Sequence, residues 1–235
     1  MKIWGYWTTL GWAVLAFLVG QIAGAAIYVW WRATSLNAVM ASPYDGVLVT
    51  FTVLVANPMM IAVTALAVRL ARSDLFAYLA LTWPRRRWLA IGVIALFGLI
   101  AVGDAILYFS GQALVPPFEL QSFTTAAAQG WLAGMLVAAI VVAPAGEEIV
   151  FRGFLFRGWI RSERAAWPAI VAISALWAAL HVQYDWTGVL QIFIVGLFLG
   201  WMRWRSASTL LTFLLHALFN LEATMETMVQ LHFFR

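Results

Sequence analysis

The sequence predicts an all-α fold, a polytopic transmembrane helix bundle of about seven or eight spans. Three observations lead there. Of the 235 residues, 64% are hydrophobic and only 10% are charged, whereas a soluble domain carries about 25% charged residues. So few charges cannot cover a water-facing surface, and lipid must be the main solvent. The apolar residues form uninterrupted runs of about 20, the length that crosses a bilayer as a helix. They do not alternate with polar ones, as strands of a membrane barrel would.

The elements follow in order. Residues 3–31 carry no charge between Lys2 and Arg32. That stretch exceeds the apolar core of a signal peptide, about 7–15 residues, so it reads as a first span over 8–30. Asn37, Pro43, Asp45 and Gly46 mark a loop over 33–46, and a second span over 47–68 stops at Arg69 and Arg72. The short segment 73–84 ends at Trp83-Pro84 and suits the interface. A third span covers 88–109, with Asp104 near its far end. Residues 110–129, holding Pro116, Pro117 and Glu119, read as a polar loop. Four more helices follow at 130–158, 165–182, 187–202 and 206–224. The chain divides into N-terminal helices (1–129), a helical core carrying the unusual polar residues (130–224) and an interfacial tail (225–235). The glycine pairs Gly20/Gly24, Gly130/Gly134 and Gly196/Gly200 are small-xxx-small spacings that suit close helix packing.

Charge sets the orientation and excludes some functions. The stretch with Arg69, Arg72 and Arg85 to Arg87 is basic, as are the turns with Arg157, Arg161 and Arg164 and with Arg203 and Arg205. The intervening loops carry Glu119 and Asp185 and no basic residue. Basic and non-basic loops alternate, as seven helices require. The positive-inside rule then puts the N-terminus in the cytoplasm, and the short, arginine-rich loops suit a multi-pass protein of a bacterial cytoplasmic membrane. The net charge of +4 suits lipid headgroups, with no basic face for nucleic acid. The chain has no cysteine, which rules out disulfides, thiolate metal sites and a cysteine nucleophile.

The chemistry lies in residues that lipid should exclude, since a charge at mid-membrane costs about 2.5–3.5 kcal/mol on insertion scales. The fourth helix nevertheless carries Glu147, Glu148 and Arg152. The fifth ends with Trp177 and His181, and the seventh holds His216 and Asn220. Residues four apart share a helical face, so Glu148 pairs with Arg152, Trp177 with His181, and His216 with Asn220. Glu147, about 100° round the helix from Glu148, is left unpaired, as a general base would be. Counted from the basic turns at 1.5 Å per residue, Glu147, His181, His216 and Asn220 all lie roughly 15–22 Å deep. They can therefore meet in one layer. A proton-coupled transporter also uses buried Glu and His, but no inverted repeat is visible. A non-catalytic interaction or immunity protein is the other alternative.

Glu147-Glu148-x-x-x-Arg152, Trp177-x-x-x-His181 and His216-x-x-x-Asn220 resemble, in order and spacing, the three motifs of the CAAX protease and bacteriocin-processing family. That family includes the type II CAAX prenyl endopeptidases and the lysostaphin-resistance-like membrane proteins. The resemblance covers roughly residues 130–224. The family usually has Phe at the start of the second motif; Trp177 keeps an aromatic plate there, so little effect is expected. The resemblance implies an intramembrane endopeptidase acting on a membrane-associated peptide or protein. Glu147 and His181 would activate a water, His216 and Asn220 would hold the oxyanion, and Glu148 with Arg152 would shape and neutralise the site. Zinc is a second option, because Glu147, His181 and His216 could give three ligands and an open fourth position. Without an HExxH motif, a metal-free glutamate mechanism is preferred.

Overall fold

The computed structural model describes residues 2–34 and 44–233, which include no strand. Helix α1 spans Tyr6–Thr34 and α2 Gly46–Leu70. Residues 35–43 of the expected first loop lie outside the described residues. Asp45, just after them, caps α2 by accepting from the Val47 and Leu48 amides, two of the donors that a helix start leaves without partners. A short α3 (Leu75–Leu79) is capped in the same way by Asp74, and α4 covers Arg86–Phe109.

The expected loop at 110–129 is wrong for most of its length, because α5 occupies Pro117–Ala128. Its polar residues masked two ordinary start signals. Pro117 sits in the first turn, where a missing N–H costs nothing, and Glu119 sits at the positive end of the helix dipole. Gly130 then turns the chain at φ +76°, a conformation that favours glycine. Nothing approaches it within 4 Å, so its role is in this turn and not in the helix packing its spacing suggested.

Helix α6 runs Leu132–Trp159 as one rod. It widens into π turns at Ala138–Val142 and Ile149–Leu155, on either side of Glu147 and Glu148. The next helix, α7 (Ala166–Ala179), stops short of the expected 182, so His181 lies in the turn just past it. Helix α8 (Trp186–Ser206) starts on an Asp185 cap and ends at Ala207 with φ 55°. Helix α9 runs Thr209–Phe233, through most of the stretch expected to be tail.

Five of these helices, α1, α2, α4, α6 and α8, are long and apolar enough to cross a membrane. Their outward faces are apolar, as at Ile94, Val102 and Ile106 of α4, which suits lipid contact. Trp83 and Trp186 stand 81% and 88% exposed beside helix starts, where interfacial tryptophans belong. The core forms where α6 is wrapped by its neighbours. Val150, Phe151 and Leu155 pack with Ile173 and Trp177 of α7, Leu199 of α8 and Leu215 of α9.

Glycine permits the closest approaches. A Cβ at Gly20 would sit 2.7 Å from the Ala56 carbonyl oxygen, and one at Gly196 would sit 3.0 Å from Ser174 Cβ and 3.1 Å from Trp177.

The two ends of the bundle differ in charge. At one end Arg161 donates to the Trp4 carbonyl, Ser73 to that of Lys2 and the Thr209 amide to that of Ala80. This gathers the segments that carry Arg69, Arg72, Arg85 to Arg87, Arg157, Arg164, Arg203 and Arg205. At the other end the Gly46 amide donates to Thr125, while the hydroxyls of Tyr184 and Thr227 both donate to Glu119.

Candidate active site

Glu148 and Arg152 are both fully buried and pair at 2.9 Å within α6, as their spacing predicts. A charge so placed is tolerable only when paired and hydrogen-bonded. His216 of α9 brings its Nδ1 to 3.0 Å from the same Glu148 oxygen. A carboxylate only accepts, so Nδ1 is the donor and Nε2 is the ring nitrogen left over.

His181 shows the same arrangement. Its Nδ1 lies 2.8 Å from the Trp177 carbonyl, one of the C-terminal carbonyls of α7 that the helix itself leaves incompletely satisfied. That carbonyl also accepts only, so His181 too keeps Nε2 uncommitted. A backbone carbonyl and a carboxylate thus place a hydrogen on Nδ1 in both rings.

The sequence predicts an unpaired Glu147, and the structure corrects this. Glu147 Oε2 accepts from the indole Nε1 of Trp177 at 2.6 Å. The same indole, only 2% exposed, meets His181 and His216 edge-on with centroids 5.2 Å apart in each case. It also lies 4.3 Å from the Arg152 guanidinium, within cation–π range. A phenyl ring could fill that place but could not donate to Glu147. The aromatic plate expected from the sequence is therefore also a hydrogen-bond donor. Gly196 of α8 makes room for it, and the Gly196 carbonyl accepts from Arg152 at 3.4 Å.

The π turns hold the rest of the constellation. Asn220 Nδ2 donates to the Ala139 carbonyl in the first, at 2.8 Å. Arg203 Nε donates to the Arg152 carbonyl in the second, at 3.0 Å. Widened turns offer carbonyls to outside donors more readily than a regular helix and often mark functional sites.

Glu147, His181, His216 and Asn220 line one cavity of about 240 Å³, together with Trp177. Glu148 and Arg152 lie behind its wall. Sequence reasoning missed several other lining groups. Asp104, Glu119, Tyr184, Glu222 and Glu226 all line it. The polar composition of 110–129 was the available signal for Glu119. Burial pushes the Glu119 carboxyl above the usual range, against the opposing effect of its Tyr184 and Thr227 bonds. Burial also raises the Tyr184 phenol, helped by the neighbouring carboxylates.

A tetrahedral zinc shell holds its ligand atoms about 3.4 Å apart, from bonds near 2.1 Å. Among the described residues, the trio of imidazole or acidic side chains whose ligand atoms all lie within 4.8 Å of one another is Asp104, Glu222 and Glu226. Glu147, His181 and His216 as placed do not form such a shell.

Residues 128–221 match the family described as type II CAAX prenyl endopeptidase Rce1-like. A curated relative, the uncharacterized 24.3 kDa protein of Escherichia coli, is 31% identical over 147 residues, covering 56% of this chain and 67% of that protein. No solved structure matches the chain.

Proposed function

The chain belongs to the CAAX protease and bacteriocin-processing family, and from that premise we propose that it is an intramembrane endopeptidase using a glutamate-activated water. The observation that carries the proposal is the cavity in which Glu147, His181, His216 and Asn220 meet, backed by the neutralised Glu148–Arg152 pair.

A water held between the Glu147 carboxylate and Nε2 of His181 gives a proton to Glu147 as its oxygen attacks the peptide carbonyl. The developing oxyanion is met by the Asn220 N–H not spent on Ala139 and by His216, which serves there as an N–H donor at Nε2 while Glu148 holds its Nδ1–H. Donors fixed beforehand in a water-poor cavity stabilise such charge strongly. Glu147 then delivers the proton to the leaving amine. Glu148 acts through His216, whose ring it holds in register. The substrate is a membrane-associated or lipidated polypeptide.

The shorter α7 and the more polar α9 complete seven spans with α1, α2, α4, α6 and α8. The N-terminus, at the arginine-rich end, lies in the cytoplasm of a bacterial cell.

The test is cleavage of a library of membrane-anchored peptides by the purified protein in detergent. Glu147→Ala and His181→Ala are each expected to lose at least about 100-fold, the scale of general-base loss, and a chelator is expected to leave the wild type unchanged. Equal cleavage by wild type and Glu147→Ala would end the hydrolytic proposal. Loss on chelation, restored by zinc, would overturn the metal-free mechanism.

A further inference from the structure

The cavity has a closed end and an open end. Toward the basic end it is sealed beneath Glu147. Glu148 and Arg152 are fully buried there, and Phe154 and Leu155 below them are 0% and 2% exposed. Hydrogen bonds lock the same region. Thr209 Oγ1 donates to the Leu79 carbonyl at 2.6 Å, and Arg203 Nε reaches both Thr209 Oγ1 and the Arg152 carbonyl at 3.0 Å. In the other direction the lining passes Asn220 and Ala223 to Leu114 and Gln183, which are exposed. Leu114 lies in the α4–α5 connection and Gln183 in the α7–α8 turn, both at the end away from the arginine clusters.

The charge asymmetry says which side of a membrane that is. Lys2, Arg69, Arg72, Arg85 to Arg87, Arg157, Arg161, Arg164, Arg203 and Arg205 belong to the closed end. The two connections at the mouth carry no Lys or Arg, and Asp185 is their one Asp or Glu; elsewhere at this end Arg32, in the last turn of α1, lies 4.0 Å from Asp45. Short basic loops stay in the cytoplasm.

We propose that the cavity opens on the non-cytoplasmic face of the membrane. Its substrates are then polypeptides whose scissile segment has already crossed, such as exported chains still held at the membrane. They are not the tails of cytoplasmic lipoproteins. This rests on the hydrolytic proposal above for the word substrate, and on the basic-end orientation for the side.

The absence of cysteine from the chain makes it a ready background for single-cysteine labelling. Leu114→Cys at the mouth, Ala223→Cys within the cavity and Ser162→Cys in the basic α6–α7 turn are produced separately in bacteria. They are then treated with a membrane-impermeant maleimide, in intact cells and after permeabilisation. In intact cells Leu114→Cys and Ala223→Cys are expected to take at least tenfold more label than Ser162→Cys, which labels only after permeabilisation. Labelling Ala223→Cys from outside is further expected to cut peptide cleavage at least tenfold. Mouth cysteines that react only after permeabilisation, or Ser162→Cys reacting in intact cells, would overturn the proposal. The expected labelling with equal cleavage by wild type and Glu147→Ala would support the opening and remove the hydrolytic proposal instead.

Discussion

Replacing Trp177 by Phe removes the indole N–H that donates to Glu147, together with part of a buried ring. The phenyl ring still fills most of the slot between His181, His216 and Gly196, but no donor remains at 2.6 Å from Glu147 Oε2. Hydrogen bonds to charged groups contribute about 1.5–3 kcal/mol. If that bond fixes the carboxylate in the geometry that activates water, its loss appears in the barrier. At about 1.4 kcal/mol per tenfold, kcat falls roughly 10- to 150-fold. Because Nε1 contacts the carboxylate and not the peptide, KM stays within about twofold. Removing part of a buried ring also costs about 1–2 kcal/mol of stability, so folding is checked first by thermal denaturation in detergent. The assay is steady-state cleavage of a membrane-anchored peptide by wild type, Trp177→Phe and Glu147→Ala. A folded Trp177→Phe protein with wild-type kcat would show that the indole N–H does not position Glu147. A rise in KM at constant kcat would move its role to substrate binding.

Other perturbations separate fold from chemistry. Glu148→Gln and Arg152→Met each leave a buried partner charge without its counter-ion and should destabilise by about 3–5 kcal/mol; an unchanged melting temperature for either would show that the pair is not buried as described. Gly196→Ala brings a methyl group to 3.1 Å from Trp177. Overpacking of that kind costs about 1–3 kcal/mol and should lower cleavage as well. Gly98→Ala on the exposed face of α4, with nothing within 4 Å, should be neutral or slightly stabilising, as Ala is the better helix former. The Glu119 carboxyl is raised in the folded chain. Its contribution to stability is therefore complete below the ordinary Glu value of about 4.3 and is lost as pH rises through the folded-state value. Glu119→Gln should flatten that fall in a series of melting temperatures measured across pH, and an unchanged slope would refute the assignment.

The sequence by itself determined the fold class and most of the spans. Burying apolar runs of this length in lipid forces every backbone group into a helix, and the arginine clusters mark where the chain leaves the bilayer. It also determined the identity of the costly residues, since an ionisable group in an apolar run stands out by composition. The Glu148–Arg152 pair was legible because it lies on one turn of one helix. What joins different helices was not. No local pattern relates Trp177 to Glu147 or Asn220 to the Ala139 carbonyl, because those contacts depend on how α6, α7 and α9 rotate and cross. The π turns that reset the register of α6 cost too little to leave a signature in the residues. Helix α5 was hidden because its polar face resembles a loop until Glu119 is seen bonded to Tyr184 and Thr227. Only tertiary packing decided that the acid, the imidazoles and the amide share one cavity, and which end of the bundle that cavity opens toward, because both depend on distances between segments far apart in the chain.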